Sequence, residues 1–258
     1  MTLAAPISAQ DFQKGVAAYN SGDYATAFKE FKHFADAGGQ SSQFNIGIMY
    51  DRGHGVPQDF KEATKWYRLA ADQGHDDAQF NLGNAYNDGL GVPQDYKEAV
   101  KWYTLAAKQG YAKAQFNLGN MYSKGHGVLQ DYKEAVKWYT LAAKQGYAGA
   151  QYNLGYKYAN GQGVPQDYKE AVKWYTLAAK QGYTDAQSNL GYMYDNGQGV
   201  LADFVMAHMW SNIAAANGSE LAAENREIIA KNMTSEDISK AQAMARVCMS
   251  SNYENCGY

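Results

Sequence analysis

The stretch AQFNLGNAYNDGLGVPQDYKEAVKWYTLAAKQG, residues 78–110, returns almost unchanged at 114–146 and at 150–182. Working outward from it, Trp66, Trp102, Trp138, Trp174 and Trp210 stand 36 residues apart, and so do Gly47, Gly83, Gly119, Gly155 and Gly191. Five 36-residue units therefore fill 39–218. A fixed period of this size marks a chain built from one supersecondary unit repeated in tandem.

Each unit reads as two helices. Ala78, Leu82, Gly83 and Tyr86 recur at helical spacing and define one buried face. The first helix stops at Gly89, where a glycine can take the positive φ that ends it, and Pro93 disfavours helix at Val92. Asp95 suits the N-cap of the second helix. That helix buries Ala99, Trp102, Tyr103 and Ala106, turns Lys97, Glu98 and Lys101 to water, and ends before Gly110. Glycine and alanine on facing surfaces give Gly83 and Gly119 a packing role. A single 36-residue hairpin cannot bury both faces, but stacked hairpins can. The expected fold class is all-α, a superhelical α/α solenoid with a concave inner surface.

The pattern Ala78-x-x-x-Leu82-Gly83-x-x-Tyr86-x-x-Gly89-x-Gly91-Val92-Pro93-x-Asp95-x-x-x-Ala99-x-x-Trp102-x-x-x-Ala106-Ala107-x-x-Gly110 resembles the Sel1-like repeat, a relative of the tetratricopeptide repeat with a longer loop inside each hairpin. The resemblance implies a scaffold that binds other proteins.

The ends differ from the middle. Residues 11–38 resemble a tetratricopeptide hairpin, an N-terminal cap joined at Gly22-Asp23-Tyr24. In the last repeat the water-facing Lys97, Glu98 and Lys101 become Val205, Met206 and Met209. Such a face is sticky when bare. Residues 219–258 are therefore expected to cover it with two helices near 220–232 and 235–249, Val205, Met206 and Met209 packing against Ile228, Ile229, Ile238 and Met244. Thr234-Ser235-Glu236-Asp237 resembles a capping box for the second of these. Cys248 and Cys256 are the only cysteines. They are either two reduced thiols or a disulfide clipping the tail, and the disulfide requires an oxidising compartment. Residues 1–10 resemble a signal-peptide remnant or an irregular start. Periplasmic or secreted localisation is expected, with the cytoplasm as the alternative.

Composition excludes several classes. The 258 residues carry 26 acidic and 23 basic side chains, a net charge of -3, which gives no electrostatic drive toward nucleic acid. No stretch approaches the ~18–20 apolar residues of a membrane span, so no membrane insertion is expected. No nucleophile motif stands out. His54 and His126 lie two repeats apart, about 20 Å at helix-packing distances, too far to share a metal. No cofactor, metal or catalytic residue is assigned. Asp59, Asp95, Asp131, Asp167 and Asp203 each precede a second helix and read as caps.

The first helices leave a second face opposite Ala78, Leu82 and Tyr86. Phe44, Phe80, Phe116 and Tyr152 run along it as an aromatic ladder, joined by Asn84, Asn120, Tyr156 and Tyr192. These eight residues are the candidate partner-binding set, since rings grip side chains and amides bond an extended backbone. The alternative is that the rings pack against the next repeat. Asn45, Asn81, Asn117, Asn153 and Asn189, present in all five units, are assigned to inter-repeat hydrogen bonds. The expected function is a monomeric adaptor for a protein or peptide. One competing class is a β-lactam or cell-wall hydrolase, implied by the resemblance to the Helicobacter cysteine-rich proteins, although those carry a cysteine pair in every repeat and these repeats carry none. The other is a secreted factor that engages a host protein through the same surface.

Overall fold

The structure, a computed structural model, describes residues 9–257, with side chains from Phe12 onward. The signal-like residues before Ala9 lie outside the described residues. Among the described residues there are fourteen helices and no strand. They divide into two units, one up to Gln130 and one from Asp131.

In the first unit, α1 (Ala9–Asn20) and α2 (Tyr24–Asp36) form the N-terminal hairpin, α3 (Gln40–Arg52) and α4 (Phe60–Asp72) the first repeat, and α5 (Asp76–Asp88) and α6 (Tyr96–Lys108) the second, followed by α7 (Ala112–Lys124). The N-cap of α2 is Asp23, which accepts from Thr26 N. Asp59 and Asp95 cap α4 and α6 from their predicted positions, each accepting two backbone N–H groups. Caps of this kind contribute about 1 kcal/mol apiece.

Two glycines per loop have different causes. Gly89 adopts φ 71° as the left-handed C-cap of α5. Gly91 also has positive φ, and a Cβ on it would overlap the Phe60 carbonyl at the start of the preceding repeat's second helix. The long loop thus lies directly on its neighbour. Inside the helix, a Cβ on Gly83 would sit 2.6 Å from the Tyr103 ring, so this glycine lets α6 approach α5.

The second unit repeats the arrangement with α8 (Tyr132–Lys144), α9 (Ala148–Asn160), α10 (Tyr168–Ala179), α11 (Thr184–Asn196) and α12 (Phe204–Ala216), and ends in α13 (Glu220–Ala230) and α14 (Ser235–Ser250). Asp131, Asp167 and Asp203 again cap second helices. The terminal helices cover α12. Met206, Met209 and Trp210 join a core with Ala241, Ala245 and Cys248, and Val205 and Met244 pack at its margin, half-buried. One expectation needs correction. Ile229 is buried, but Ile228 is 56% exposed, because α13 presents only one row of its apolar side chains inward. Cys248 and Cys256 are joined, folding the tail so that the Tyr253 side chain reaches Asn217, with 3.0 Å between the Asn217 amide and the hydroxyl. No described helix is long and apolar enough to cross a membrane.

Buried glutamines that the sequence pattern did not single out tie the hairpins together. Gln79 Nε2 donates to the Ala71 carbonyl at 3.1 Å, and Gln109 Nε2 of the same repeat donates to Gln79 Oε1 at 2.9 Å. The same pair of bonds recurs through Gln43 and Gln73 and through Gln151 and Gln181, with Asn217 replacing the outer glutamine over Gln187. A buried amide with both ends satisfied holds register as well as area, since an unpaired one would be expensive.

Candidate functional site

The eight candidate residues separate into two kinds. Phe44, Phe80, Phe116 and Tyr152 are half-buried. The Phe80 ring leans on Tyr103 of its own repeat and Tyr111 at the start of the next, with centroids 6.0 and 5.1 Å away. Phe44 stacks on His75 at 4.6 Å, and Tyr152 on Tyr183 at 4.9 Å. The aromatic ladder is therefore largely an inter-repeat seam. Asn84 is also engaged, its Oδ1 accepting from the Tyr103 hydroxyl at 2.7 Å and from Asn117 Nδ2 at 3.3 Å. That second bond crosses from one repeat to the next, as assigned for the Asn117 series. Tyr156 and Tyr192 stand apart at 42% and 51% exposure.

The accessible spaces on this face are pockets between successive first helices, and they occupy equivalent positions. In the first unit one lies between α3, α4 and α5, about 240 Å3, and another between α5, α6 and α7, about 230 Å3. In the second unit one lies between α9, α10 and α11, about 300 Å3. Their floors are made by matching residues: Tyr67, Tyr103 and Tyr175 from the second helices, with Asn81, Asn117 and Asn189 from the next first helix. Their rims differ. The first has Asp51 and Asp88, the second Asn120, Lys124 and His126, and the third Tyr156, Asn160 and Tyr192. Asn84, Asn120, Tyr156 and Tyr192 from the candidate set thus reach the pockets, whereas Phe44, Phe80, Phe116 and Tyr152 brace the walls. The sequence reading placed Tyr103 on the buried face of its helix and gave the floor tyrosines no part in the site, although Tyr67, Tyr103 and Tyr175 recur in register.

Burial shapes the titration of these groups. The phenols of Tyr67, Tyr103 and Tyr175 are pushed well above their ordinary range, so they stay protonated as donors. Burial raises Asp51, opposed by the Arg52 charge and by a contact with Tyr67. Lys157 occupies the position that is Ala85, Met121 and Met193 in other repeats. It is only 5% exposed, lies 4.2 Å over the Tyr132 ring and donates to Gln162 Oε1 at 2.8 Å. Burial depresses its ammonium.

The histidines flagged in the loops pack against rings: His54 stacks on Tyr24 at 4.1 Å and meets the Tyr19 hydroxyl at 3.0 Å, and His126 stacks on Tyr96 at 4.8 Å. His75, Asp76 and Asp77 offer donor atoms within 4.8 Å of one another at the start of α5. Two acids there complement the helix dipole.

The Sel1 repeat family model matches residues 40–75, 76–111, 112–147, 148–183 and 184–219. Among solved structures, a Sel1 repeat protein from Oxalobacter formigenes is 33% identical, with a TM-score of 0.79 over 92% of this chain and 95% of that one. The Escherichia coli protein c5321, described as a protective antigen of uropathogenic strains with this fold, is 28% identical, with a TM-score of 0.62 over 94% of this chain and 62% of that one. A comparison with curated proteins gave no match.

Proposed function

We propose that this chain, which belongs to the Sel1 repeat family, is a non-enzymatic adaptor that holds an extended segment of another protein across the first-helix face. One observation carries the reading: the same pocket recurs at equivalent places with a constant floor and a varied rim. A constant floor is what the fold requires of each junction, and a varied rim is what reading a particular sequence of side chains requires. Repeats stack at about 10 Å, the span of roughly three residues of extended chain, so consecutive pockets would read every third residue of a bound segment.

The exposed Tyr156 and Tyr192 supply the anchors of the second unit, because tyrosines offer large contact area with few rotatable bonds and are enriched among residues that dominate binding. The Cys248–Cys256 bond favours an oxidising compartment, so the periplasm or the exterior is the proposed location. The likeness to a protein described as a protective antigen agrees with an exported role. The test is photo-crosslinking in the native host, with a photoreactive residue at Tyr192 and a control at Lys173 on the exposed side of α10. The reading expects discrete adducts from Tyr192 that disappear with Tyr156→Ala, and none from Lys173. Equal adducts from both positions would remove it.

A further inference from the structure

The first of the three pockets differs from the second at one position beside its floor tyrosine. In the second repeat the Tyr103 hydroxyl donates to Asn84. The residue equivalent to Asn84 in the first repeat is Ile48, so Tyr67 lacks the acceptor that Tyr103 has at that position. Tyr67 is 4% exposed, and its hydroxyl makes no hydrogen bond of good geometry. Asp51 and Asn81 flank it closely enough to feel it without satisfying it. Two carboxylates line the same pocket. Asp51 is half-buried, and Asp88, at the pocket's other edge, has one oxygen held by the Asn87 amide at 2.7 Å and the other outside that bond. Phe60 and Leu90 supply an apolar wall.

A buried polar atom without a partner costs roughly 1–3 kcal/mol, so its persistence calls for something that completes it. Two carboxylates, with the Arg52 charge acting on Asp51 alone of the pair, select a cation. A bare metal would leave the apolar wall unused, whereas a long aliphatic stem ending in a charge uses both. Arginine further matches planar acceptors set apart from one another, offering five donors in a fixed fork.

We infer that the pocket between α3, α4 and α5 is a recognition site for one organic cation, the guanidinium or ammonium of an arginine or lysine side chain carried by the partner. The charge is held between Asp51 and Asp88, with the Tyr67 hydroxyl turning its proton to Asp51 and its oxygen accepting from the cation, and the stem lying along Phe60 and Leu90. This inference rests on the adaptor reading and names the side chain that one of its pockets takes. The next pocket along, with Lys124 and His126 on its rim, carries the opposite character, so the two set the direction in which a segment bearing both charges can lie.

The test is a proton–nitrogen NMR titration of the full chain with N-acetyl-arginine methylamide, against the citrulline analogue of the same shape without the charge. Shifts are expected at the backbone amides of Asp51, Tyr67, Asn81 and Asp88, with apparent affinity at least about fivefold weaker for citrulline. Asp51→Asn should weaken arginine binding by a similar factor. Tyr67→Phe, which removes the accepting oxygen and keeps the ring, should do the same. Equal shifts from arginine and citrulline, or unchanged binding by Asp51→Asn, would overturn the cation site. So would a response to calcium or magnesium chloride but not to the arginine probe. Loss of the cation site with Tyr192 crosslinking intact would leave the adaptor reading standing, and the converse would remove that reading alone.

Discussion

The Gln109 side-chain amide donates to Gln79 Oε1 at 2.9 Å while Gln79 donates to the Ala71 carbonyl, so a single buried side chain bridges two hairpins. Area burial alone would let one hairpin slide over the next, since alanines offer little shape. Directional bonds in an apolar surround resist that slide, because breaking them strands polar groups away from water.

Replacing Gln79 by leucine should therefore destabilise out of proportion to the atoms removed. The Ala71 carbonyl and the Gln109 amide would both lose a partner, a loss of about 2 kcal/mol. Urea unfolding followed by circular dichroism measures it. A change smaller than a few tenths of a kcal/mol would mean that the glutamines are passengers.

Gly91 and Gly110 both have positive φ, but only Gly91 is pressed against a carbonyl, and nothing lies within 4 Å of a Cβ at Gly110. Gly110→Ala should lose about 1 kcal/mol from backbone strain alone. Gly91→Ala should lose about 2 kcal/mol or more, because the loop must also lift off Phe60. Thermal midpoints of the two variants, compared side by side, decide whether the loop contact matters.

Lys157 gives a pH prediction. Its folded-state ammonium is depressed by burial, so below the ordinary lysine value of 10.5 the unfolded chain holds the proton more tightly than the folded chain. Stability is thus penalised at low and neutral pH and recovers as pH rises through the window between the depressed value and 10.5. Lys157→Met, using the residue present at Met121 and Met193, is expected to stabilise at pH 7 by about 1 kcal/mol. The advantage should shrink as pH approaches about 10. An advantage that grows with pH would contradict the assignment.

The Cys248–Cys256 bond closes a short loop, which by chain entropy contributes roughly 2 kcal/mol. Thiol titration of the protein isolated from its native host without reductant should find no free cysteine. Addition of reductant should lower the thermal midpoint and expose Tyr253 to iodination. Two titratable thiols in the protein so isolated would remove the oxidising-compartment argument.

The repeats made most of the fold legible. Five copies of Asp59 through Asp203 before second helices, and of glycines at loop ends, leave little choice of hairpin or cap. The site was less legible, for a physical reason. A helical projection considers one hairpin, and from one hairpin Phe80 looks free. It becomes half-buried because Tyr111, at the start of the next first helix, lies over it, and that contact exists only after stacking. The glutamine ladder hid for the opposite reason. Gln79 reads as a polar surface residue until the neighbouring Ala71 carbonyl appears beside it. Its identity in all five units was the available signal. Of the two isoleucines expected to pack inward on α13, Ile229 is buried and Ile228 is not.

The adaptor account is tested most directly by hydrogen exchange of the protein alone and with its captured partner, read by mass spectrometry. The account predicts slower exchange along the first helices α3, α5, α7, α9 and α11 on binding, with smaller changes in the second helices α4, α6 and α10 that floor the pockets. Protection confined to the second helices, or to α13 and α14, would contradict it.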